Sequence, residues 1–367
     1  MKKALYIVTS MDTGGAETVL MKYYRALDKS LYQMDFCVSS DAPGFYDAEI
    51  ESMGGRIVHT VKKTEAGPIA SFERLKQIAR EGGYCCAMRS SQHSLSSLDL
   101  LAMRAGGVPK TIFRSSNTGT VSGSTKETLL HNLFKPLVKI AATDYAAPST
   151  EAGKYMFGEN AVSGPRFHVM KNALNLADFA FDSDARAEIR AEFDISADAF
   201  VVGHIGRFNQ QKNHFRLIEV FAEIANRKPD AVLLLVGKGE RRPEVETYIE
   251  ELGLSDRVVF AGIRRDANRI YSAMDVFVFP SLYEGLPNVI VEAQANGLPC
   301  VISDSITEEV LISKNVVAKN LNECTVEWAN VSCSLNRLGT KESSEELKAA
   351  GYDIHAAIND FVKLVFE

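Results

Sequence analysis

The segment EGLPNVIVEA, residues 284–293, carries the strongest signal in the sequence, because it connects a buried strand to a helix through a tight loop. The run before it, Asp275–Pro280, is apolar, contains valine and phenylalanine, and ends in proline, as expected for a buried strand. Pro287 suits the first turn of a helix, whereas Gly297 and Pro299 are typical of a helix end. The sequence therefore predicts the order strand, loop, helix here.

Two carboxylates of this segment indicate a ligand site. Glu284 falls in the loop just before the helix N-terminus, whose free N–H groups and positive dipole end attract an anion. Glu292 lies in the second turn of the same helix. An anion-binding helix end beside two carboxylates fits a ligand that carries both phosphates and hydroxyls, as a nucleotide sugar does. Two solvated carboxylates would be the simpler interpretation of this spacing taken alone.

A second segment repeats this order of elements. Phe200–Ile205 (FVVGHI) is a short apolar strand, and the sequence GRFNQQKNH, from Gly206 to His214, precedes a helical pattern of apolar residues. A glycine-containing loop between a strand and a helix is a common frame for binding phosphate. Arg207 offers a planar fork and Lys212 a point charge to phosphate oxygens. Two solvated cations would be the simpler interpretation if this segment stood alone.

A third segment opens the chain. Ala4–Thr9 is a strand candidate, and the loop Met11–Glu17 (MDTGGAE) leads into a helical pattern. Gly14 and Gly15 would let a ligand approach the backbone closely, because they carry no side chain. A plain turn before a helix explains these two glycines about equally well.

These segments resemble the motifs of the family 4 glycosyltransferases (glycosyl transferases group 1), in particular those that make capsular polysaccharides and exopolysaccharides. The match is most specific over residues 200–310 and weaker over residues 1–172. The resemblance implies the GT-B fold, an α/β arrangement of two doubly wound Rossmann-like domains that face a cleft. The matching positions are Glu284 and Glu292 for the E-x7-E motif, Gly206, Arg207, Lys212 and Asn213 for the GR-loop-KN motif, and Gly14 with Gly15 for a GGAE segment.

The resemblance also implies the activity. It is the retaining, metal-independent and cofactor-free transfer of a sugar from a nucleoside-diphosphate sugar, with UDP favoured, to a glycan or lipid-linked acceptor in surface polysaccharide biosynthesis. Arg207 and Lys212 would hold the diphosphate, Glu284 would contact the donor sugar, and these three residues would be catalytic. Glu292 would bind the ribose hydroxyls. The other donor-binding positions would be Gly14, Gly15, Gly206, Gly262, Ile263, Arg264, Gly285, Leu286 and Asn288.

Strand and helix signals alternate along the whole chain, which favours an α/β fold with mostly parallel sheets. We expect an acceptor-side Rossmann-like domain over residues 1–172 and a nucleotide-sugar donor domain over residues 173–346. The tail, residues 347–367, contains a helical pattern from Tyr352 to Phe366. The resemblance implies that this helix packs back on the first domain.

Composition restricts the class of protein. The chain has 367 residues, a net charge of -6 and a pI near 5.8, so we expect no nucleic acid partner. The sequence contains no run of the ~20 apolar residues that a membrane-spanning helix needs. The six cysteines show no C-x-x-C spacing, and Cys37, Cys85 and Cys300 lie in or beside apolar runs. We therefore expect reduced thiols and a cytoplasmic protein.

Two short patterns are set aside as ligand sites. The G-x-G pattern at Gly237 follows a strand, but Arg242 stands where a dinucleotide-binding fingerprint needs a third glycine, which favours a tight turn. The D-x-D pattern at Asp182 has the spacing of a metal site, but it directly precedes a helical pattern. Asp184 is better interpreted as a helix N-cap. We therefore predict no metal site.

The segment of residues 129–141 has apolar residues on one helical face, and this face has two interpretations. A helix that faces the core is favoured. A helix that lies on an anionic membrane stays open, because many members of the family use lipid-linked acceptors. Peripheral contact with the inner face of the cell membrane is therefore kept beside a purely cytoplasmic location. The apolar residues of this face are Leu129, Leu130, Leu133, Phe134, Leu137, Val138 and Ala141.

One segment departs from the family pattern. Polysaccharide-making members often read HSHNT where this chain has Arg114–Thr118 (RSSNT). A histidine there lines the acceptor side, so we assign the acceptor side to Arg114 and to His93, the nearest alternative histidine. Retaining transfer in this family needs no strong protein base, because the departing phosphate takes the proton of the acceptor. Two other hypotheses stay open: a non-catalytic nucleotide- or glycan-binding partner of a synthesis complex, and a nucleotide-sugar epimerase on the same fold.

Overall fold

The structure is a computed structural model that describes residues 1–12, 14–116 and 125–367. Of Lys63 and residues 125–127 only the backbone is described. Three residues of the segments quoted above lie outside the described residues. They are Thr13 of the glycine loop, and Asn117 and Thr118 of the RSSNT segment.

The chain divides into two units, each with its own parallel sheet. Unit 1 comprises Met1–Leu174 and Ile354–Glu367, and unit 2 comprises Asn175–Asp353. The strands are β1 (Lys2–Ile7), β2 (Tyr32–Val38), β3 (Ile57–His59), β4 (Cys86–Ser91), β5 (Lys110–Ser115), β6 (Asp144–Ala147), β7 (Phe167–Val169), β8 (Val201–Ile205), β9 (Val232–Val236), β10 (Val258–Gly262), β11 (Val276–Phe279), β12 (Cys300–Ser303) and β13 (Val316–Lys319).

Helices alternate with these strands through both units, as the alternating signals in the sequence predict. The helices are α1 (Gly15–Ala26), α2 (Asp47–Ser52), α3 (Lys63–Gly82), α4 (Ser97–Ala105), α5 (Thr125–Ala141), α6 (Thr150–Phe157), α7 (Glu159–Val162), α8 (Ser183–Glu192), α9 (His214–Arg227), α10 (Arg242–Glu251), α11 (Ala267–Ala273), α12 (Asn288–Ala295), α13 (Thr325–Ser334), α14 (Thr340–Ala349) and α15 (Ile354–Phe366).

The sheet of unit 1 is buried on both faces. Its strands run in the order β3-β2-β1-β4-β5-β6-β7 and pair in parallel throughout the described part of the unit. Side chains of β1 alternate between the faces, because Ala4 and Tyr6 pack with α1 and α15, whereas Leu5 and Ile7 pack with α3 and α4. From β1, successive strands are added first on one side (β2, β3) and then on the other (β4 to β7), so the switch point lies between β1 and β4. Ligands of open α/β sheets bind at the carboxyl ends of the strands beside such a switch point.

The sheet of unit 2 has the same design, with the order β10-β9-β8-β11-β12-β13 and a switch point between β8 and β11. Leu233, Leu234 and Leu235 of β9 are each at most 1% exposed, which shows that helices cover both faces of the sheet. The predicted fold class, two doubly wound Rossmann-like domains, is confirmed.

The strand, loop and helix predicted around EGLPNVIVEA are confirmed as β11 and α12. Helix α12 begins after Pro287, which is its N-cap residue and therefore stands one position before the predicted first turn. The helix stops where predicted, because Gly297 has a φ of +72°. A Cβ at Gly297 would lie 2.4 Å from the carbonyl oxygen of Leu338, so glycine is also required there by space.

The D-x-D pattern corrects one prediction. The N-cap of α8 is Asp182 and not Asp184. The Oδ1 atom of Asp182 accepts hydrogen bonds from the backbone N–H groups of Asp184 (2.8 Å) and Ala185 (3.1 Å). An N-cap must accept from the second and third residues of the helix, and only Asp182 stands at that distance in the chain.

The C-terminal helix α15 completes the core of unit 1. Phe361 is 2% exposed, and its ring stacks on Tyr23 of α1 at 4.8 Å between centroids. Lys2 donates from Nζ to the carbonyl oxygen of Phe366 at 2.7 Å, which ties the two ends of the chain together. The helix therefore covers one face of the sheet that would otherwise expose apolar side chains.

Helix α5 corrects a second prediction. Only Val138 and Ala141 of the predicted core-facing set are buried, and Leu129, Leu130 and Leu133 are 70%, 43% and 68% exposed. The helix is rotated relative to the prediction because its buried side carries His131, which accepts at Nδ1 from the backbone N–H of Ser94. Among the described residues, no helix combines the length and hydrophobicity of a membrane span.

Replacing Phe361 with alanine should lower the free energy of unfolding of unit 1 by about 3–5 kcal/mol, because it removes a buried aromatic ring from a packed core. Urea denaturation followed by circular dichroism measures this change. Asn359→Ala, at an exposed position of the same helix, is the control and should change the value by less than about 0.5 kcal/mol. Equal stabilities of the two variants would show that α15 is not part of the core.

Candidate functional site

The predicted phosphate loop and the predicted carboxylate loop lie side by side in unit 2. Residues 206–213 follow β8, and residues 280–287 follow β11. These two strands are neighbours and flank the switch point of the sheet. Their carboxyl ends are therefore at one edge, where an open α/β sheet binds its ligand.

An ion pair joins the two loops. Lys212 Nζ lies 2.5 Å from Glu284 Oε1, and the two side chains are 16% and 10% exposed. The ammonium group also lies over the ring of Phe279, 4.6 Å from its centroid, in a cation–π contact. Lys212 is therefore held in one place by a carboxylate and an aromatic ring, while its remaining N–H groups are available to an anion.

Backbone hydrogen bonds fix the same two loops against each other. The backbone N–H of Leu282 donates to the carbonyl oxygen of Gln211 (2.8 Å), and the Gln211 amide donates back to the carbonyl oxygen of Tyr283 (2.9 Å). Asn213 donates from Nδ2 to the carbonyl oxygen of Pro280 at 3.1 Å. The positions of Lys212 and Glu284 therefore follow from the backbone and not only from their own attraction.

Two glycines that follow β9 pack closely against the predicted phosphate loop, residues 206–213. Gly237 has a φ of +139°, and a Cβ there would lie 2.1 Å from the carbonyl oxygen of Gly206. A Cβ at Gly239 would lie 2.3 Å from the carbonyl oxygen of Phe208. The G-x-G pattern set aside as a tight turn is thus a close contact with the candidate site. The glycine spacing after β9 was the sequence feature that could have revealed this contact. The two glycines pack against the loop after β8.

Glu292 is fixed by a tyrosine that the sequence analysis did not select. Glu292 is 7% exposed and accepts a hydrogen bond at Oε2 from the hydroxyl of Tyr271 at 2.8 Å. Burial raises the pKa of Tyr271 far above its usual value, with the charge of Glu292 adding to the effect. The phenol therefore stays protonated and acts as a donor to the carboxylate. No local pattern marks Tyr271, because its partner is distant in sequence.

Two buried histidines lie under the phosphate loop. His204 and His214 are 0% and 2% exposed, and their rings are 4.8 Å apart. His204 approaches the carbonyl oxygen of Val278 through Nδ1, while its Nε2 lies 2.9 Å from the position of a Cβ on Gly206. In the described part of the chain, His204 Nε2 and both ring nitrogens of His214 have no hydrogen-bond partner.

Both imidazoles are neutral at physiological pH. Burial, together with the nearby charges of Lys212 and Arg241, lowers the pKa of His214 to about 4. Burial also lowers the pKa of His204 well below its usual value. The imidazole pair therefore adds no positive charge beside Lys212.

The other predicted donor-binding residues of unit 2 differ in exposure. Arg207 is exposed. Gly262, which accepts from the backbone N–H of Gly237 (2.8 Å), precedes Ile263, which is 46% exposed. Leu286 is buried. Gly285 is buried and Asn288 half-buried.

The side chain of Arg264 forms ion pairs with two carboxylates of unit 2. It pairs with Asp266 at 2.8 Å and with Glu192. Hydrogen bonds to these two carboxylates raise the pKa of Arg264. A ligand at Arg264 would therefore meet the backbone rather than the paired side chain.

In unit 1, Gly14 and Gly15 lie at the start of α1, next to the switch point between β1 and β4. Gly14 is the N-cap of α1, and a Cβ there would lie 2.1 Å from Glu17 Oε2. The carboxylate of Glu17 thus folds back over the helix N-terminus. Burial raises the pKa of Glu17, although Arg89 and Arg114 act in the opposite direction.

The two predicted acceptor-side residues are structurally engaged within unit 1. His93 follows β4, and its Nδ1 accepts a hydrogen bond from the backbone N–H of Leu95 at 3.2 Å. This bond places the ring proton of neutral His93 on Nε2. Arg114 is 2% exposed and donates to Asn172 Oδ1 at 3.0 Å and to Ser90 Oγ at 3.4 Å. It therefore orders the ends of β4 and β5 from inside the unit.

Comparison with known proteins identifies the family. The family profile described as Glycosyl transferases group 1 matches residues 185–352, within unit 2. The chain is 35% identical over 357 residues to a Bacillus subtilis (strain 168) protein that carries the name glycosyltransferase EpsF, a match that covers 96% of this chain and 93% of that protein. The chain belongs to the glycosyl transferases group 1. The resemblance to the glycosyl transferases group 1 is thereby confirmed, and the protein is a transferase enzyme.

Two further proteins are similar to this glycosyltransferase. An Escherichia coli protein named UDP-Gal:alpha-D-GlcNAc-diphosphoundecaprenol alpha-1,3-galactosyltransferase is 31% identical over 214 residues, which cover 56% of this chain and 54% of that protein. The crystal structure of Anabaena HepE in complex with UDP and glucose has a TM-score of 0.81 at 19% identity and covers 99% of both chains. The second likeness supports the fold of the glycosyltransferase alone.

The carboxylates of the site are not arranged as metal ligands. Among the described residues, no three side chains of His, Cys, Asp or Glu are grouped so that they could hold a metal ion. Glu284 is paired with Lys212, and Glu292 accepts from Tyr271. Both carboxylates are thus engaged by side chains of the protein.

The buried histidines should make the stability of unit 2 depend on pH. His214 is neutral in both states above pH 6.5, but between pH 6.5 and about 4 the unfolded chain takes up a proton that the folded chain does not. The free energy of unfolding should therefore fall, as the pH falls through this window, by about 1.4 kcal/mol per pH unit for this residue.

Urea denaturation at a series of pH values measures this dependence. His214→Phe keeps a ring against Phe208, which His214 stacks on at 4.3 Å, but it cannot bind a proton. The variant should lack this part of the slope, whereas His59→Phe, at an exposed position of unit 1, should retain it. Identical slopes for the wild type and His214→Phe would show that the imidazole binds its proton equally well in the folded and unfolded protein.

Proposed function

We propose that this glycosyltransferase moves a sugar from a nucleoside-diphosphate sugar to a glycan or lipid-linked acceptor in the synthesis of a surface polysaccharide. UDP is the favoured nucleotide. The transfer retains the anomeric configuration and uses no metal ion. The enzyme acts in the cytoplasm or at the inner face of the cell membrane.

The observation that carries the proposal is the contact between Lys212 and Glu284 at the switch point of unit 2. These residues belong to two motifs that are 72 positions apart in the sequence. The fold brings them to 2.5 Å at the edge of the sheet where ligands bind. A cation and a carboxylate fixed together there can bind the diphosphate and the sugar of one ligand.

The chemistry needs charge neutralisation more than a strong base. As the bond between sugar and diphosphate breaks, negative charge grows on the leaving diphosphate. Lys212, held by Glu284 and Phe279, is positioned before the reaction to stabilise that charge, and the exposed Arg207 can fold over it. Glu284 would accept hydrogen bonds from sugar hydroxyls, and Glu292 from those of the ribose. The resemblance to the family motifs supports retention of the anomeric configuration.

The proteins to which the chain is similar support the proposed donor and acceptor. The name of the Escherichia coli protein gives UDP-Gal as donor and a diphosphoundecaprenol-linked sugar as acceptor, and HepE was crystallised with UDP and glucose. All six cysteines of the chain are free thiols, in keeping with a reducing compartment.

Nucleotide binding tests the site directly. In a thermal-shift panel with UDP, GDP, ADP and dTDP, we expect UDP to stabilise the protein most. By calorimetry, Lys212→Ala and Glu292→Ala should each weaken UDP binding by about 1–3 kcal/mol, because each removes a charge-assisted hydrogen bond. Lys341→Ala, at a 90% exposed side chain of unit 2, should leave the affinity unchanged. Failure of all four nucleotides to bind, or wild-type affinity in both site variants, would contradict the proposal.

Turnover separates transfer from the two other hypotheses. Release of UDP from a UDP-sugar only in the presence of undecaprenyl-diphosphate-linked glycans supports transfer. Interconversion of the UDP-sugar without an acceptor would support an epimerase. Nucleotide binding without turnover across a broad acceptor panel would support a non-catalytic partner.

Tyr271 should act as a positioning residue for Glu292. Tyr271→Phe removes the hydrogen bond that orients the carboxylate and should weaken UDP binding about fivefold, or about 1 kcal/mol. The loss should be smaller for a UDP analogue that lacks the ribose hydroxyls, because Glu292 has nothing to bind there. Tyr248→Phe, whose hydroxyl meets Glu219 at 3.5 Å, serves as control. Equal losses for both ligands would assign Tyr271 a purely structural role.

A further inference from the structure

A polar cavity of unit 2 is formed by residues other than those of the loops after β8 and β11. It has a volume of about 270 Å³ and is lined by residues of the segment that leads into α8 and by three residues of α11. Small-molecule sites start at about 300 Å³, so the cavity suits one small ligand. The lining residues that carry polar or aromatic groups are Asp178, Phe181, Asp182, Asn268, Arg269 and Ser272.

A buried serine of this lining has a hydroxyl proton to donate. Ser272 is 0% exposed, and its Oγ atom accepts hydrogen bonds from the backbone N–H of Asp182 and from Nδ2 of Asn296, each at 3.1 Å. Both contacts use the serine oxygen as the acceptor, so the proton of the hydroxyl can be donated to a ligand in the cavity. The same two contacts hold the side chain in place.

Two other lining residues offer acceptor oxygens. The N-cap of α8 uses Oδ1 of Asp182, which accepts from the backbone N–H groups of Asp184 and Ala185, so Oδ2 of the same carboxylate can accept from a ligand. Asn268 donates from Nδ2 to the carbonyl oxygen of Asp178 at 2.9 Å, and its Oδ1 is an acceptor. These bonds fix both side chains, so their acceptors are positioned before a ligand binds.

A guanidinium group and an aromatic ring complete the lining. Arg269 pairs with Glu188 through Nη2, and its planar fork carries further N–H donors. The guanidinium of Arg337 lies 4.6 Å from the centroid of the Phe181 ring. Phe181 therefore provides a supported apolar surface next to the hydrogen-bonding groups, which is the usual composition of a small-molecule site.

This mixture of groups selects the class of ligand. A hydroxyl group both donates and accepts, so a ligand with several hydroxyls can satisfy the donors Ser272 and Arg269 as well as the acceptors Asp182 and Asn268. A phosphate would be repelled by the carboxylates of Asp178 and Asp182. Among the residues that the structure describes, no three side chains of His, Cys, Asp or Glu could hold a metal ion. An uncharged sugar fits the lining best.

We propose that this cavity binds one sugar unit of a glycan chain, at a place in unit 2 separate from the nucleotide-sugar site. Hydroxyls of the sugar donate to Asp182 Oδ2 and Asn268 Oδ1, and others accept from Ser272 and Arg269. The inference deepens the proposed function and rests on it, since a growing glycan supplies sugar units beyond the one that reacts. A second point of attachment keeps such a glycan near the enzyme between transfers.

Ligand-observed NMR tests the cavity. The full-length protein, with and without saturating UDP, is titrated with the methyl α-glycosides of glucose, galactose and N-acetylglucosamine, and saturation transfer to each sugar is measured. We expect at least one glycoside to bind saturably and equally under both conditions. Asp182→Asn keeps an oxygen for the N-cap but replaces the second acceptor with a donor, and should weaken this binding about tenfold. Arg269→Gln should weaken it as well, because it removes charged donors.

Asp184→Asn is the matched control. Asp184 is exposed, lies two positions further along the same helix, and is not part of the cavity lining. The change removes the same charge, so this variant should bind the glycosides like the wild type. Lys212→Ala, which alters the nucleotide-sugar site, should also retain glycoside binding. Circular dichroism melting of all variants verifies that they are folded.

Four results would overturn the inference. They are absence of binding of all three glycosides to the wild type, equal binding by the wild type and Asp182→Asn, loss of glycoside binding in Lys212→Ala, and binding of inorganic phosphate or Mg²⁺, abolished in Asp182→Asn, without binding of any sugar. UDP binding, measured in parallel, separates this inference from the proposed function. Nucleotide binding without glycoside binding overturns the cavity alone, whereas glycoside binding without nucleotide binding overturns the proposed function alone.

Discussion

The ion pair between Lys212 and Glu284 is the interaction around which unit 2 is organised. It connects the loops that leave β8 and β11, the two strands on either side of the switch point. Two parallel strands that run side by side must end at the same edge, so their loops compete for the same space. The two loops are held together by backbone hydrogen bonds, such as that from the N–H of Leu282 to the carbonyl oxygen of Gln211, and by the ion pair between Lys212 and Glu284. Removing Glu284 would leave the largely buried ammonium group of Lys212 without its carboxylate.

Three buried polar side chains of unit 2 are uncharged in the folded protein. His204 and His214 are neutral because burial lowers the pKa of each, and Tyr271 keeps its proton because burial raises its pKa. Cationic charge is thus concentrated on Lys212 and on the exposed Arg207. Lys212 is largely buried, and a fixed charge in such surroundings acts more strongly on an anion than the same charge would in solvent.

Contacts within short segments were predictable from the sequence, and contacts between segments were not. The loop after β8 and the helix stop at Gly297 depend on residue types within about one turn, so their patterns identify them. The support of Gly206 by Gly237 and the hydrogen bond from Tyr271 to Glu292 join residues that are 31 and 21 positions apart. Their partners are selected by the strand order of the sheet, which no local pattern encodes.

The sequence by itself determined the α/β class, the order of strands, loops and helices around both motifs, and the family. These features follow from apolar periodicity and from residues with restricted backbone geometry. Only the tertiary structure decided that Lys212 meets Glu284 and that α5 turns Leu129 and Leu133 outward. The amphipathic pattern of α5 allows more than one apolar side to be buried, and the packing of His131 on Ser94 and Tyr155 selects which one. That choice depends on side chains from other elements, and therefore exists only in the folded chain.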